Sequence, residues 1–220
     1  MPLLLIRHAQ SVNNSLPEEQ RTADPGLTEL GRRQAGFLAA RLAEWEPDVL
    51  LTSAFRRTLE TTAAVADATG LRPEILVDLH EQGGCQEGPE PAVYVGQPGL
   101  SRQEILDEFG NWELPDAVDE QGWWKRKSWE KPEACEKRAR WLAGELVQRF
   151  GDPTVKVAAI THGMFKPVLV SAFLGRPFVG NEWLGDLYNT SVSQLKVSAV
   201  GAVLDSYNDT AHLVREDLSA

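Results

Sequence analysis

The chain has 220 residues, which is enough for one sizeable domain with its own core. Hydrophobic residues make up 42% and charged residues 25%, which is typical of a globular protein. The formal net charge of −10 disfavours nucleic acid and anionic membranes as partners, because both recruit basic surfaces. We therefore expect one domain over residues 1–220 that binds neither nucleic acid nor a membrane.

The N-terminal segment has the pattern of a strand rather than of a signal peptide. Residues 1–7 lack a basic start and a small-residue cleavage site. No apolar run approaches the length that is needed to span a bilayer. We therefore expect a cytoplasmic protein, in which Cys85 and Cys135 are free thiols.

Strands and helices alternate along most of the chain. Residues 3–6 form a short apolar run that is typical of a buried parallel strand. Thr28 is suited to cap the first helix, and Gly70 is suited to end the second. The pattern predicts strands at 3–6, 49–52, 75–77, 155–161, 192–197 and 202–207, and helices at 28–45, 56–68, 133–150 and 164–174.

Residues 83–132 break this alternation. The segment carries Gly, Pro and four of the seven tryptophans, among them Trp123, Trp124 and Trp129. Ser101 and Glu104 have the spacing of a capping box, which predicts one short helix inside the segment. We interpret the segment as an insertion or lid, because tryptophan-rich segments usually bury something.

The alternation predicts an α/β fold. We expect a three-layer sandwich in which a mainly parallel sheet is covered by helices on both faces. The insertion or lid at about 83–132 then lies between core elements of that sandwich.

Polar side chains follow the ends of four predicted strands. The carboxyl ends of parallel strands meet at one edge of a sheet, where sites form in open α/β folds. Arg57 also lies near a helix N-terminus, where free N–H groups favour an anion. We therefore expect a site at this edge that contains Arg7, His8, Ser11, Asn14, Arg57, Glu81 and His162.

This set of residue types fits phosphoryl transfer. Arginine supplies forked cationic donors for a phosphate, neutral imidazole can attack phosphorus, and a carboxylic acid can protonate a leaving alkoxide. Four histidines without an HxH or HxxxH pair make a zinc site a poor alternative. No GxGxxG or GxxxxGK[ST] motif supports a nucleotide-binding fold.

Five segments resemble, in the same order, the motifs of the histidine phosphatase superfamily, which includes the cofactor-dependent phosphoglycerate mutases. They are residues 5–11 with Asn14, 27–35, 52–61, 79–81 and 161–163. Ala9 stands where the family usually has glycine, and Ala54-Phe55 replaces the usual Pro-Leu. Residues 82–85 do not resemble the Arg-His-Tyr-Gly segment of the mutases, which favours the phosphatases of the family.

The resemblance implies a mechanism and assigns roles. His8 would attack phosphorus and become a phosphohistidine, with its other ring nitrogen donating to a backbone carbonyl. Arg7 and Arg57 would hold the phosphoryl oxygens, and His162 would hold and polarise the group. Glu81 would protonate the leaving group and afterwards activate water. No metal or organic cofactor is implied.

Other polar residues have a functional and a structural interpretation. Ser11 and Asn14 would bind the phosphoryl group or orient His8, or only stabilise a turn. We expect Arg56 in a salt bridge or in solvent, and His80 in packing, with a role as proton donor as the alternative. Arg21 and the run 125–127 are expected to face solvent, with contact to the substrate as the alternative. Cys85 is expected to have no role in the chemistry.

Three functions follow from these residues. We expect a phosphatase that hydrolyses a small phosphomonoester. One alternative is a phosphoglycerate mutase-type phosphotransferase with the same residues, and another is a non-catalytic protein that binds phosphorylated ligands. The sequence leaves the oligomeric state open.

Overall fold

The computed structural model describes residues 1–180 and 186–220. Its main strands are β1 (Pro2–Arg7), β2 (Val49–Thr52), β3 (Glu74–Ile75), β6 (Val157–Thr161), β7 (Val192–Ser198) and β8 (Gly201–Asp209), and two further short strands, β4 (Gln86–Glu87) and β5 (Val95–Gly96), pair with each other. The helices are α1 (Glu29–Trp45), α2 (Arg56–Thr69), α3 (Arg102–Phe109), α4 (Pro132–Phe150) and α5 (Phe165–Phe173).

The six main strands form one sheet in the order β3-β2-β6-β1-β7-β8. The first four strands of that order are parallel, with Leu5 and Leu51 both opposite Ala159. Strands β7 and β8 run antiparallel to their neighbours. The predicted mainly parallel sheet is therefore confirmed.

Helices cover both faces of the sheet, as the alternation of strands and helices predicts. On β1, Leu3 and Leu5 share a buried cluster with residues of α4 and α5. Leu4 and Ile6 point to the other face and share a cluster with residues of α1 and α2. Successive side chains of a strand point to opposite faces, so β1 lies in the middle layer of a three-layer sandwich.

The structure confirms the predicted start of α1 at Thr28 and the predicted end of α2 at Gly70. The Thr28 hydroxyl accepts a hydrogen bond from Gly31 N at the start of α1, and Gly70 ends α2 with a φ of 71°. Gly31 is required for a different reason. A Cβ atom at this position would lie 2.1 Å from the carbonyl oxygen of Gln10, so glycine lets α1 approach the chain that follows β1.

Two predicted strands have the wrong extent. The predicted strand at 75–77 is Glu74–Ile75, and a 3-10 helix at Val77–Leu79 replaces the rest. The 3-10 turn buries Leu79 completely, and the Thr161 hydroxyl donates to its carbonyl. The strand predicted from residue 155 begins at Val157, because a turn closed by Val155 N and Asp152 O precedes it.

The insertion at 83–132 is ordered and packs against the start of α2 through a shared buried cluster. Trp112, Trp123 and Trp124 are buried there in one cluster with Ile105 and with Phe55 at the start of α2. The Ser101–Glu104 capping box at the start of α3 is confirmed. No helix within residues 1–180 and 186–220 is long and apolar enough to cross a membrane.

Candidate active site

The carboxyl ends of β1, β2 and β6 meet at one edge of the sheet, and a polar side chain follows each of them. His8 follows β1, Ser53 follows β2 and His162 follows β6. The His8 amide donates to Thr161 O at 2.9 Å, which ties the two strand ends together. The rings of His8 and His162 meet edge to face, with centroids 5.2 Å apart.

The hydrogen bonds of His8 fix its tautomer. Arg57 Nε lies 3.2 Å from Nε2, and Nδ1 lies 2.7 Å from Ala9 O. Because a guanidinium N–H can only donate, Nε2 is the acceptor and the ring proton is on Nδ1. The expected bond from the other ring nitrogen to a backbone carbonyl is therefore confirmed, and Nε2 carries a lone pair.

The surroundings of His8 keep the ring neutral. Burial lowers the pKa of His8 well below its usual value, and the positive charges of Arg57 and Arg7 lower this pKa further. A neutral imidazole with its lone pair on Nε2 is the form that can attack an electrophile.

Arg7 is a buried cation at the same edge. Burial lowers its pKa to about 10, which leaves it charged at neutral pH. One terminal nitrogen donates to Leu187 O, while Nε is buried without a hydrogen-bond partner among the described residues. Gly163 makes room for this side chain, since a Cβ atom there would lie 3.2 Å from Arg7 Nε.

Arg57 comes from the first turn of α2. Its guanidinium carbon lies 4.0 Å from the centre of the Phe55 ring, and burial lowers its pKa. Asp24 accepts from Arg56 N at 2.8 Å and so holds a loop against the start of the helix. Burial raises the pKa of Asp24 to about 7, although the charge of Arg57 acts in the opposite direction.

Glu81 lies at the N-terminal end of α5. Its carboxylate accepts from three backbone amides, those of Gln82 at 3.0 Å, Phe165 at 2.9 Å and Met164 at 3.2 Å. These bonds orient the carboxylate, because the free N–H groups of a helix start favour an anion. Glu81 therefore has a fixed position on the side of the site formed by α5.

His162 is fully buried. Its Nε2 lies 2.7 Å from Ser53 Oγ, and Nδ1 has no hydrogen-bond partner among the described residues. Burial lowers the pKa of His162 well below its usual value, and the charge of Arg57 adds to this effect. His162 Nδ1 and Arg7 Nε are thus both buried, and neither has a hydrogen-bond partner among the described residues.

Ser11 and Asn14 form the turn that follows β1. Both the amide and the hydroxyl of Ser11 donate to Asn14 Oδ1, at 3.0 and 2.9 Å. These bonds are those of the structural interpretation. The same two residues also line the cavity above His8, so the geometry is compatible with the functional interpretation as well.

A cavity of about 360 Å³, here called the phosphate cavity, opens above these residues. Apart from Ala220, all side chains in its wall are polar or charged. They are Arg7, His8, Ser11, Asn13, Asn14, Arg21, Arg57 and Glu81. Three arginines and one glutamate give the wall a positive charge on a protein whose net charge is −10. The arrangement can hold an anion against a neutral imidazole lone pair, with a carboxylate nearby.

Residues with an expected structural role mostly have it. Arg56 forms a forked ion pair with Glu108, and the His80 ring packs against Trp124 and Trp123. Lys125, Arg126 and Lys127 lie outside the phosphate cavity, whereas Arg21, expected to face solvent, lies in its wall. Both cysteines are free and buried.

The sequence analysis missed supporting residues that come from the antiparallel side of the sheet. Asn189 Nδ2 donates to His8 O at 3.1 Å, and the buried Lys166 amine donates to Ser191 O at 2.7 Å. Strand β7 is antiparallel, so the residues before it reach the edge where the parallel strands end. The polar run 189–191 directly before an apolar strand was the available signal.

Among the described residues, no group of three or more His, Cys, Asp and Glu side chains could hold a metal ion. The fold and the site together define a class: an α/β protein with a neutral histidine and paired arginines at the carboxyl edge of its sheet.

Comparison with known proteins gives this class a name. Residues 3–210 match the family model of the histidine phosphatase superfamily (branch 1). The chain belongs to this superfamily, and the resemblance noted in the sequence is confirmed.

Relatives of the chain carry different activities in their names. The chain is 27% identical over 221 residues to the probable phosphoglycerate mutase GpmB of Yersinia enterocolitica, covering 97% of this chain and 95% of the relative. It is 26% identical over 219 residues to phosphoserine phosphatase 1 of Hydrogenobacter thermophilus, covering 96% and 93%. The names therefore do not select one activity.

Solved structures support the fold. A mycobacterial glucosyl-3-phosphoglycerate phosphatase in complex with VO3 has a TM-score of 0.65 at 24% identity, covering 95% of this chain and 99% of that one. A phosphoserine phosphatase mutant from Entamoeba histolytica has a TM-score of 0.67 at 20% identity, covering 97% and 99%. At these identities the likeness concerns the fold alone.

Proposed function

We propose that the chain is a phosphatase that hydrolyses a small phosphomonoester through a phosphohistidine on His8. The observation that carries the proposal is the state of the His8 ring: Nδ1 is held by Ala9 O, and Nε2 has its lone pair next to Arg57. A merely phosphate-binding protein needs cations but no such nucleophile.

In the first step, Nε2 of His8 attacks phosphorus and the bond from phosphorus to the ester oxygen breaks. The electron pair of that bond goes to the leaving oxygen, which takes a proton from Glu81. Arg7 and Arg57 hold the phosphoryl oxygens. The unsatisfied nitrogens Arg7 Nε and His162 Nδ1 are suited to donate to the same oxygens.

In the second step, water attacks the phosphohistidine. Glu81, now ionised, takes a proton from that water, the bond from phosphorus to nitrogen breaks, and inorganic phosphate leaves. Every group in this cycle belongs to the chain, the substrate or water, so the proposal includes no metal or organic cofactor. Ser11 and Asn14 orient the turn that presents His8 to the substrate.

The proposed setting is cytoplasmic, with a small-molecule phosphate ester as the partner and neither nucleic acid nor membrane. The acidic net charge supports this choice, because the positive wall is confined to a cavity and does not extend over a surface.

Phosphotransfer of the phosphoglycerate mutase type is the second candidate. The 27% identity to a probable phosphoglycerate mutase favours it, and it would use the same His8 chemistry. In a mutase the phosphoryl group returns to a second hydroxyl, so isomerised product would form without net release of phosphate.

The test is release of inorganic phosphate from a panel of phosphomonoesters by wild type and by His8→Ala. We expect turnover by wild type and a loss of about 10⁴-fold or more in the variant, since the nucleophile is removed. The melting temperature serves as the control for folding. Turnover near the wild-type rate by His8→Ala would exclude the mechanism, and isomerisation without phosphate release would favour the mutase.

A further inference from the structure

We propose that the preferred substrates are sugar monophosphates, in which the phosphate is the only anionic group, rather than phosphate esters that also carry a carboxylate. This inference rests on the proposed phosphatase function. It concerns the part of the site that would hold the leaving group.

A second cavity of about 320 Å³, here called the leaving-group cavity, lies beside the phosphate cavity. Asn13, Arg21 and Arg57 line both cavities, which makes the two spaces neighbours. Much of the remaining wall comes from the insertion, including Tyr94 and Trp129. Gln82 and Met164, whose backbone amides donate to Glu81, also line this cavity, so the proposed proton donor lies beside it. We place the alcohol part of an ester, whose phosphoryl group lies against His8, in the leaving-group cavity.

Apart from Arg57, the charged side chains in the wall of the leaving-group cavity form one ion pair. Its charged lining residues in the described chain are Glu18, Arg21 and Arg57. Arg57 faces the phosphate cavity and bonds to His8. Arg21 pairs with Glu18 at 3.4 Å, and its Nε donates to Asn13 O at 3.2 Å. A carboxylate in this cavity would have to compete with Glu18 for Arg21, and a charge that stays unpaired is costly to desolvate.

The basic run of the insertion adds no charge to this wall. Lys125, Arg126 and Lys127 are absent from the wall of the leaving-group cavity. Lys125 instead pairs with Asp119 at 2.6 Å. The insertion therefore brings aromatic and amide groups to the cavity rather than cations.

Aromatic faces are suited to pack against the C–H groups of a sugar ring. Trp129 is half-buried, and its ring lies close to Gly83. A Cβ atom at Gly83 would lie 2.6 Å from Trp129 Nε1, so glycine at 83 lets the indole approach this closely. Tyr94 adds a second aromatic side chain to the same wall.

Gln86 supplies an acceptor for a hydroxyl group. Its Nε2 donates to Gly83 O and to Lys127 O, both at 3.1 Å. These two carbonyl partners fix which end of the amide is the nitrogen. The Oε1 atom is then buried without a hydrogen-bond partner among the described residues, although Gln86 lines the cavity. A sugar hydroxyl can donate to this oxygen after a small shift of the side chain, whereas a carboxylate cannot.

The experiment measures kcat/KM for phosphate release from glucose 6-phosphate, ribose 5-phosphate, 3-phosphoglycerate and phosphoserine. We expect the two sugar phosphates to be preferred by about tenfold or more, because an unmatched carboxylate is rejected more strongly than a neutral ring. Equal or higher kcat/KM for the carboxylate-bearing esters would overturn the inference while leaving the phosphatase function intact. If phosphate is released neither from these four esters nor from p-nitrophenyl phosphate, both the substrate preference and the phosphatase function are wrong.

Two matched pairs of variants locate the effect. Trp129→Leu and Gln86→Leu should each raise KM for the sugar phosphates about fivefold or more and change kcat less. Trp141→Leu and Gln103→Leu replace the same residue types at exposed positions outside both cavities and should leave KM unchanged. If Trp129→Leu and Gln86→Leu have the same KM as these two controls, Trp129 and Gln86 do not bind the sugar.

Arg21→Met tests the assumption about charge. We expect this variant to keep the preference for sugar phosphates. If wild type prefers 3-phosphoglycerate and Arg21→Met abolishes that preference, Arg21 leaves Glu18 to bind the carboxylate and the inference is wrong.

Discussion

The edge of the sheet and the insertion at 83–132 differ in how they are built. At the edge, each polar side chain follows a strand, and backbone bonds such as His8 N to Thr161 O fix its place. In the insertion, buried tryptophans that pack against one another and against the start of α2 fix the shape, and its strands and helix are short. The comparison teaches that the chemistry and the choice of leaving group depend on different parts of the chain, so separate substitutions should change them.

The largest effect should come from the core of the insertion. Trp123 is only 1% exposed and packs against Phe55 with ring centroids 4.7 Å apart. Trp123→Ala should lower the free energy of unfolding by about 3–5 kcal/mol, because it leaves a large cavity. Denaturant unfolding measures this loss, with the half-exposed Trp141→Ala as the control. A loss under about 1 kcal/mol would show that the insertion is only loosely attached.

The next largest effect should come from the sheet edge. Arg57→Lys removes the forked donor over the phosphate, so kcat should fall by about 10²–10³-fold with little change in stability. Arg56→Lys changes the neighbouring residue, whose ion pair is with Glu108, and should leave kcat within about twofold. Steady-state kinetics of the two variants distinguishes an arginine that binds the phosphate from one that only adds positive charge nearby. Equal effects of the two substitutions would refute the assignment of Arg57.

A pair of glycines in α1 tests how the edge is supported. Gly31→Ala should destabilise the fold by about 1–3 kcal/mol, because the new methyl group overlaps Gln10 O. Gly36→Ala, in the same helix, meets no atom within 4 Å and should stabilise the fold by up to about 1 kcal/mol. Thermal unfolding of both variants measures the difference, and a gain in stability for Gly31→Ala would contradict the close approach.

The smallest effect per group concerns pH. Burial lowers the pKa of His8, His80 and His162, so between their folded and ordinary values these residues bind protons only when unfolded. Stability should therefore fall as pH drops below about 6.5, by up to about 1.4 kcal/mol per pH unit for each histidine.

Asp24 acts in the opposite direction. Its pKa is raised to about 7, so the folded protein binds the extra proton between about pH 4 and pH 7. Asp24→Asn should therefore make the loss of stability between pH 7 and pH 5 steeper. Denaturant titrations at several pH values measure both slopes, and a shallower slope in the variant would exclude a raised pKa of Asp24.

The sequence predicts the ends of α1 and α2 and the motifs of the edge well, because local chemistry decides them. Thr28 and Gly70 act through their own backbone neighbours, and His8, Arg57 and His162 each follow an apolar run. Asn189 and Lys166 escaped prediction because their partners lie far along the chain and the direction of β7 brings them together. The single-domain organisation of residues 1–220 stays a prediction.

The insertion resisted prediction for a different physical reason. Its core is formed by Trp112, Trp123 and Trp124 with Phe55, contacts that leave no helical or strand period in the sequence. The capping box of α3 was recognisable because it is local. The place of Arg21 in the cavity wall depends on the loop 12–24 and could not be derived from spacing.

The most direct test of the account is to trap the phosphoenzyme. Wild type is mixed with a phosphomonoester that it hydrolyses, labelled in the phosphoryl group, and the reaction is quenched within milliseconds in alkali. We predict about one phosphoryl group per chain that is stable in base, labile in acid and carried by the peptide that contains His8, with no label in His8→Ala. His80→Asn, which changes another buried histidine, should still be labelled. Label on a different residue, or none during steady turnover, would contradict the account.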